Sequence, residues 1–80
     1  MLRDLDLDLL ERHPRNRLKP LRPRDLLTVQ RVGLTEPVVV RPLPSSSHIS
    51  PRYEILRGER WWRIAGLLGL GAVPAIIRTG

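Results

Sequence analysis

Six consecutive residues near the C-terminal end, Gly58-Glu59-Arg60-Trp61-Trp62-Arg63, join cationic side chains to a backbone able to receive an anion. Before them, Tyr53 to Arg57 reads as a strand; after Gly58, a helical pattern begins. A strand that turns through glycine into a helix leaves the first amide N–H groups without partners, at the positive end of the helix dipole. Glycine offers no side chain to hold an anion away, and such helix starts bind phosphate. Arg60 and Arg63 lie three apart, on one face of the first turn. Each guanidinium can give two parallel hydrogen bonds to phosphate oxygens. Glu59 can cap the helix start, hold an arginine, or approach a phosphate-bound metal, and it is the candidate general base. The same residues are also ordinary helix electrostatics, so by themselves they leave phosphate binding and simple stabilisation both open.

The elements that must position these residues follow from periodicity. Trp61, Ile64, Ala65 and Leu68 fall at i, i+3, i+4 and i+7, which predicts a helix over Glu59–Leu70 with that stripe facing the core. Trp62 is turned from the stripe by about 100°. It is expected to be partly exposed, to cover a second apolar surface, or to stack on a base. Gly69 and Gly71 are expected to end the helix. Val73–Arg78 reads as a last strand, with Pro74 predicting an edge position or a strand start. Val38–Arg41, bounded by prolines, predicts a buried strand paired in a hairpin with Tyr53–Arg57. Between them, Leu43–Arg52 is turn-rich; its His48 has no acid placed to complete a catalytic set.

Upstream, Arg24–Val32 predicts a short helix stopped by Gly33, with an imperfect apolar face of Leu26, Leu27, Val29, Gln30 and Val32. Residues 11–24, with prolines at 14, 20 and 23, predict an extended arginine-laden segment that is either an exposed linker or a cover over an anionic ligand. Arg3–Leu10 alternates Leu with Asp and predicts one strand with Leu5, Leu7 and Leu9 inward. Asp4, Asp6 and Asp8 then form its wet face more readily than a metal site. The expected order is β-α-β-β-α-β: a small α/β (α+β) domain with a mixed sheet of about four strands and two helices.

Composition narrows the function classes. With 80 residues the chain is one small domain, residues 1–80. It has no cysteine, which excludes disulfides, cysteine-based zinc sites and a cysteine nucleophile. No apolar run reaches the roughly 20 residues of a membrane span, and the N-terminus lacks the apolar core of a signal peptide. Thirteen Arg and one Lys against eight acids leave a formal charge of +6. That excess fits a polyanionic partner, although an arginine-biased genome would produce it too.

Taken in order, Gly33-Leu34 with Pro37, the strand Val38–Arg41, then Gly58-Glu59-Arg60 with Arg63, Ala65, Gly69-Leu70 and Val73-Pro74 resemble the N-terminal domain of the ParB family over nearly the whole chain. The resemblance implies a bacterial protein that segregates plasmids or chromosomes in the cytoplasm, nucleoid- or plasmid-associated. It implies a fold like that of sulfiredoxin and a bound nucleotide, CTP or another, with Mg2+. Gly58, Glu59, Arg60 and Arg63 would meet the triphosphate and its magnesium; Gly33, Leu34 and Thr35 would lie near the base. It further implies a homodimer that closes on DNA, with the DNA-reading and dimerising parts outside these residues, so that the chain is a fragment or a standalone relative. Two departures from the family's sequence pattern stand out, and a third is that the chain ends at Gly80, where the family's helix-turn-helix and dimerising tail would follow. The second arginine of the family's Gly-Glu-Arg-Arg-x-Arg pattern is Trp61. The family's early Asn-Pro-x-x-Pro-Arg loop is reduced to His13–Arg17. Sulfiredoxin's catalytic cysteine has no counterpart. Besides a nucleotide switch, the readings kept are a nuclease, nucleotide hydrolase or phosphotransferase working through Glu59, and a scaffold that has lost its ligand.

Overall fold

The computed structural model describes residues 1–17 and 19–79. Strand β1 is Leu2–Asp6; a 3-10 turn over Leu7–Leu9 leads into the short strand β2, Leu10–Arg12. Helix α1 is Pro23–Val32, β3 is Val38–Pro42, β4 is Tyr53–Arg57, α2 is Glu59–Leu67 and β5 is Ala72–Ile77. The five strands form one mixed sheet in the order β1-β5-β3-β4-β2.

The hairpin of β3 and β4 is as expected and the helices fall in the expected places along the chain, but the sheet has five strands rather than about four, with β5 beside β3. The difference lies in the first ten residues. The leucine–aspartate alternation is not one strand: it breaks after Asp6, leaving Leu5 and Leu10 buried while Leu7 and Leu9 are half-buried on the turn. β1 pairs antiparallel with β5 and β2 parallel with β4, so the two pieces sit on opposite edges of the sheet. Four steps across a flat sheet span about 19 Å at about 4.8 Å each. The four-residue advance from Asp6 to Leu10 reaches only about 14 Å when fully extended. The sheet must therefore curl until its edges approach, and Leu5 and Leu10 join one core with Val38, Val40, Ile55, Val73 and Ala75.

β3 lies at the centre, with Val38 and Val40 fully buried; three consecutive valines predict burial on both faces, but Val39 on the other face is only half-buried. Pro74 is on neither an edge strand nor a strand start, because β5 is flanked by β1 and β3. The alternation of antiparallel pairing explains why it is tolerated. Ile77 donates to the Met1 carbonyl and Leu7 to that of Gly71, so the Asp4–Pro74 pair between them is of the kind that exchanges no hydrogen bonds. The missing N–H of Pro74 faces the β3 side, just below Ala75, where that ladder begins.

α1 begins with Pro23, whose fixed φ suits a first helical position. Only Val29 of its expected apolar face is buried; Leu27 and Val32 are exposed. α2 is shorter than the expected Glu59–Leu70. Gly69 takes a left-handed φ of 73°, and the amides of Gly69 and Leu70 turn back to the carbonyls of Gly66 and Ala65. That paired closure ends the helix before the last apolar residues of the pattern. Ile64 and Ala65 are fully buried and fasten α2 to the fold. The indole N–H of Trp62 donates to the Leu7 carbonyl at 3.2 Å, tying the helix to the turn between β1 and β2. Among the described residues, no helix is long and apolar enough to cross a membrane, and no group of three or more metal-binding side chains occurs, the three aspartates included.

Candidate functional site: an arginine-lined groove at the start of helix α2

Gly58 sits between β4 and α2 with φ 82° and ψ 22°, in the left-handed region that disfavours side chains. A Cβ there would approach the backbone Cα of Val38 at 3.2 Å and the carbonyl of Pro37 at 3.4 Å. Glycine is thus required twice, by its torsion and by the close passage of central strand β3. The turn this creates directs α2 away from the sheet end, and the amide of Trp61 already bonds back to the Gly58 carbonyl at 3.0 Å.

An open groove of about 1090 Å³ lies along this corner. One wall is Leu56–Arg60 with Arg63; the other is the irregular segment from Arg15 to Arg22 together with the start of α1 at Pro23 and Asp25. Seven lining residues are cationic (Arg15, Arg17, Lys19, Arg22, Arg57, Arg60 and Arg63) and two are acidic (Asp25 and Glu59). The proline-punctuated segment read as a linker or a cover does form a wall.

Four of the candidate residues, Gly58, Glu59, Arg60 and Arg63, come together in the groove. Gly33, Leu34 and Thr35 do not line it. They form the link from α1 toward β3, where Gly33 has φ 84° and Leu34 packs against the core. Trp61 is also absent from the lining; it packs on the core cluster, and the Arg60 guanidinium sits over its ring at 5.1 Å. Trp62 covers the same core rather than standing free.

The cations are committed to different degrees. Arg60 reaches Asp25 only loosely, at 3.7 Å, and is half exposed. Arg63 gives one N–H to the Lys19 carbonyl at 2.6 Å, which ties the helix to the opposite wall. Glu59 meets Arg12 at 2.9 Å and is mostly covered. That approach lacks hydrogen-bond alignment, and the Glu59 Oε1, Arg12 Nε and Asp25 Oδ2 atoms are all buried without a hydrogen-bond partner among the described residues. Their charges are met by neighbouring opposite charges, Glu59 by Arg12 and Asp25 by Arg60, but their hydrogen-bonding capacity is not filled. Periodicity could not have found Arg12 or Asp25, because both act across the fold.

The architecture, a curled five-stranded mixed sheet with two helices, is the fold of the ParB and sulfiredoxin-like domains. The family model for the ParB N-terminal domain matches residues 2–80, and the chain belongs to that family. The chromosome-partitioning protein ParB of Caulobacter vibrioides is 32% identical over 80 residues, covering 95% of this chain and 25% of its own length. The chain spans only 15% to 26% of the length of such curated relatives. The C-terminally truncated ParB of Caulobacter crescentus, solved with CTP-gamma-S, superposes with a TM-score of 0.78 at 31% identity, over 100% of this chain and 45% of that one. The same protein on its centromeric parS site gives 0.70 at 32% identity, over 96% of this chain and 38% of that one. Sulfiredoxin from Arabidopsis thaliana shares the fold with a TM-score of 0.70 at 19% identity, over 100% of this chain and 86% of that one.

Proposed function

We propose that this domain is the nucleotide-binding switch module of a ParB-like DNA-partition protein, with CTP as the nucleotide. The observation that carries the reading is the groove: a helix start, two α2 arginines and a second basic wall converge on one open space able to attract an anion. A close structural relative solved with CTP-gamma-S supports the choice of ligand. Gly58 and the first amides of α2 would receive a phosphate, with Arg60 turning from its loose contact with Asp25. Glu59 would face a phosphate-bound Mg2+, whose contribution is to neutralise charge between phosphates. Gly33, Leu34 and Thr35 would lie on the base side. DNA binding and homodimerisation would rest chiefly on other parts of a longer protein acting in the bacterial cytoplasm on nucleoid or plasmid.

The contact with Arg12 at 2.9 Å favours a binding role for Glu59 over a catalytic one, because it already engages one carboxylate oxygen. Calorimetry with CTP, ATP and GTP in magnesium distinguishes the readings. CTP should release heat and the purine nucleotides little. Silence with all three, reversed by Trp61→Arg, would favour a scaffold that has lost its ligand. Nucleotide turnover that vanishes in Glu59→Gln would favour an enzyme.

A further inference from the structure

We propose that Arg57 is a phosphate-binding residue of the groove, acting beside the α2 arginines. The inference rests on the nucleotide reading and assigns it a residue outside the Gly58–Arg63 segment. Arg57 is the last residue of β4 and immediately precedes the left-handed Gly58. It is exposed and lines the same groove as Glu59, Arg60 and Arg63.

What separates it from those neighbours is commitment. Arg60 has Asp25 at 3.7 Å, and Arg63 has the Lys19 carbonyl at 2.6 Å. Among the described residues, no hydrogen bond or ion pair engages the Arg57 side chain. Its N–H donors are available to an incoming anion without breaking an existing contact. A guanidinium with such freedom can present two parallel donors to phosphate oxygens.

Position separates it from the other cations. Arg15, Arg17 and Arg22 lie on a segment with no helix or strand among its described residues. Arg57 lies on a strand held by β3 on one side, where Val39 is its register partner. A cation on a regular element is placed more precisely than one on a loop. It is also adjacent in sequence to the helix start, so the two donor sets act on one phosphate group. Trp61 is turned to the core and leaves that part of the groove to other cations.

The test compares the wild-type chain with Arg57→Ala and Arg57→Lys, titrating CTP, cytidine and inorganic tripolyphosphate in magnesium. Loss of a charge-assisted contact should weaken CTP and tripolyphosphate by about tenfold to a hundredfold. Lysine should restore part of the loss. Thermal midpoints should stay unchanged, since the side chain is exposed and makes no hydrogen bond or ion pair among the described residues. Equal CTP binding by wild type and Arg57→Ala overturns the inference and leaves the nucleotide reading intact. Binding of tripolyphosphate that depends on Arg57, with no preference for CTP, sustains the inference and overturns the nucleotide reading. Binding of neither probe by the wild type overturns both.

Discussion

The two walls of the groove are both rich in arginine and are held in place by different physics. The β4–α2 junction is fixed from behind: Ile55, Ile64 and Ala65 are fully buried, and Gly58 presses on the backbone of the central strand. The described residues of the facing segment, 13–17 and 19–22, are held by polar contacts. Its backbone turns on itself through the Asn16 amide to the His13 carbonyl at 3.0 Å, Arg12 bonds the Asn16 carbonyl, and Arg63 bonds that of Lys19. Packed apolar contacts resist small displacements, while exposed polar contacts exchange with water at little net cost. One wall is therefore held by packing and the other by polar contacts, and both carry cations.

The sharpest way to break this contrast is at Gly58. Gly58→Ala introduces a left-handed alanine and a Cβ against the Val38 backbone, and should cost about 2–4 kcal/mol of stability. Nucleotide binding should fall with it. Urea denaturation followed by tryptophan fluorescence measures the cost; a loss below about 1 kcal/mol would mean that the junction relaxes and is not rigid. Trp62→Phe probes the same wall more gently. It removes the indole donor to the Leu7 carbonyl and should cost about 1 kcal/mol. Since Trp62 does not line the groove, CTP affinity should hold within about twofold once folding is complete. The smallest stability effect belongs to the other wall. Changing Arg15 and Arg17 together to serine should alter stability by less than about 0.5 kcal/mol. The double variant should still bind CTP more weakly, and with a shallower dependence on salt, because screened charges are what it loses. A large drop in its melting temperature would show that the segment is part of the folding core.

Much of the frame was legible because its signals are local. The α2 stripe and the stops at Gly33 and Gly69 depend on neighbours within about one or two helical turns, and the hairpin on two strands that follow one another in the chain. The first ten residues were misleading for a physical reason: leucine–aspartate alternation describes a strand face, but not where a chain leaves one sheet edge for the other. That decision at Asp6 is made by β5 and β4, the partners waiting at each edge. Pro74 was misplaced on the same ground, since the pairing parity that tolerates it is set by β1. In the groove, Gly58, Glu59, Arg60 and Arg63 stand together, as their closeness in sequence makes them. The pairing of Glu59 with Arg12 and of Arg60 with Asp25 joins residues 47 and 35 positions apart and has no periodic trace.

By itself the sequence determined the helix start, its glycine and its cations, because torsion, dipole and guanidinium chemistry are properties of a few adjacent residues. The tertiary structure alone decided which of those cations face an open groove and which are tied to other groups. Closure of a curled sheet brings residues 15–22 across from α2, and sequence separation carries no information about that distance.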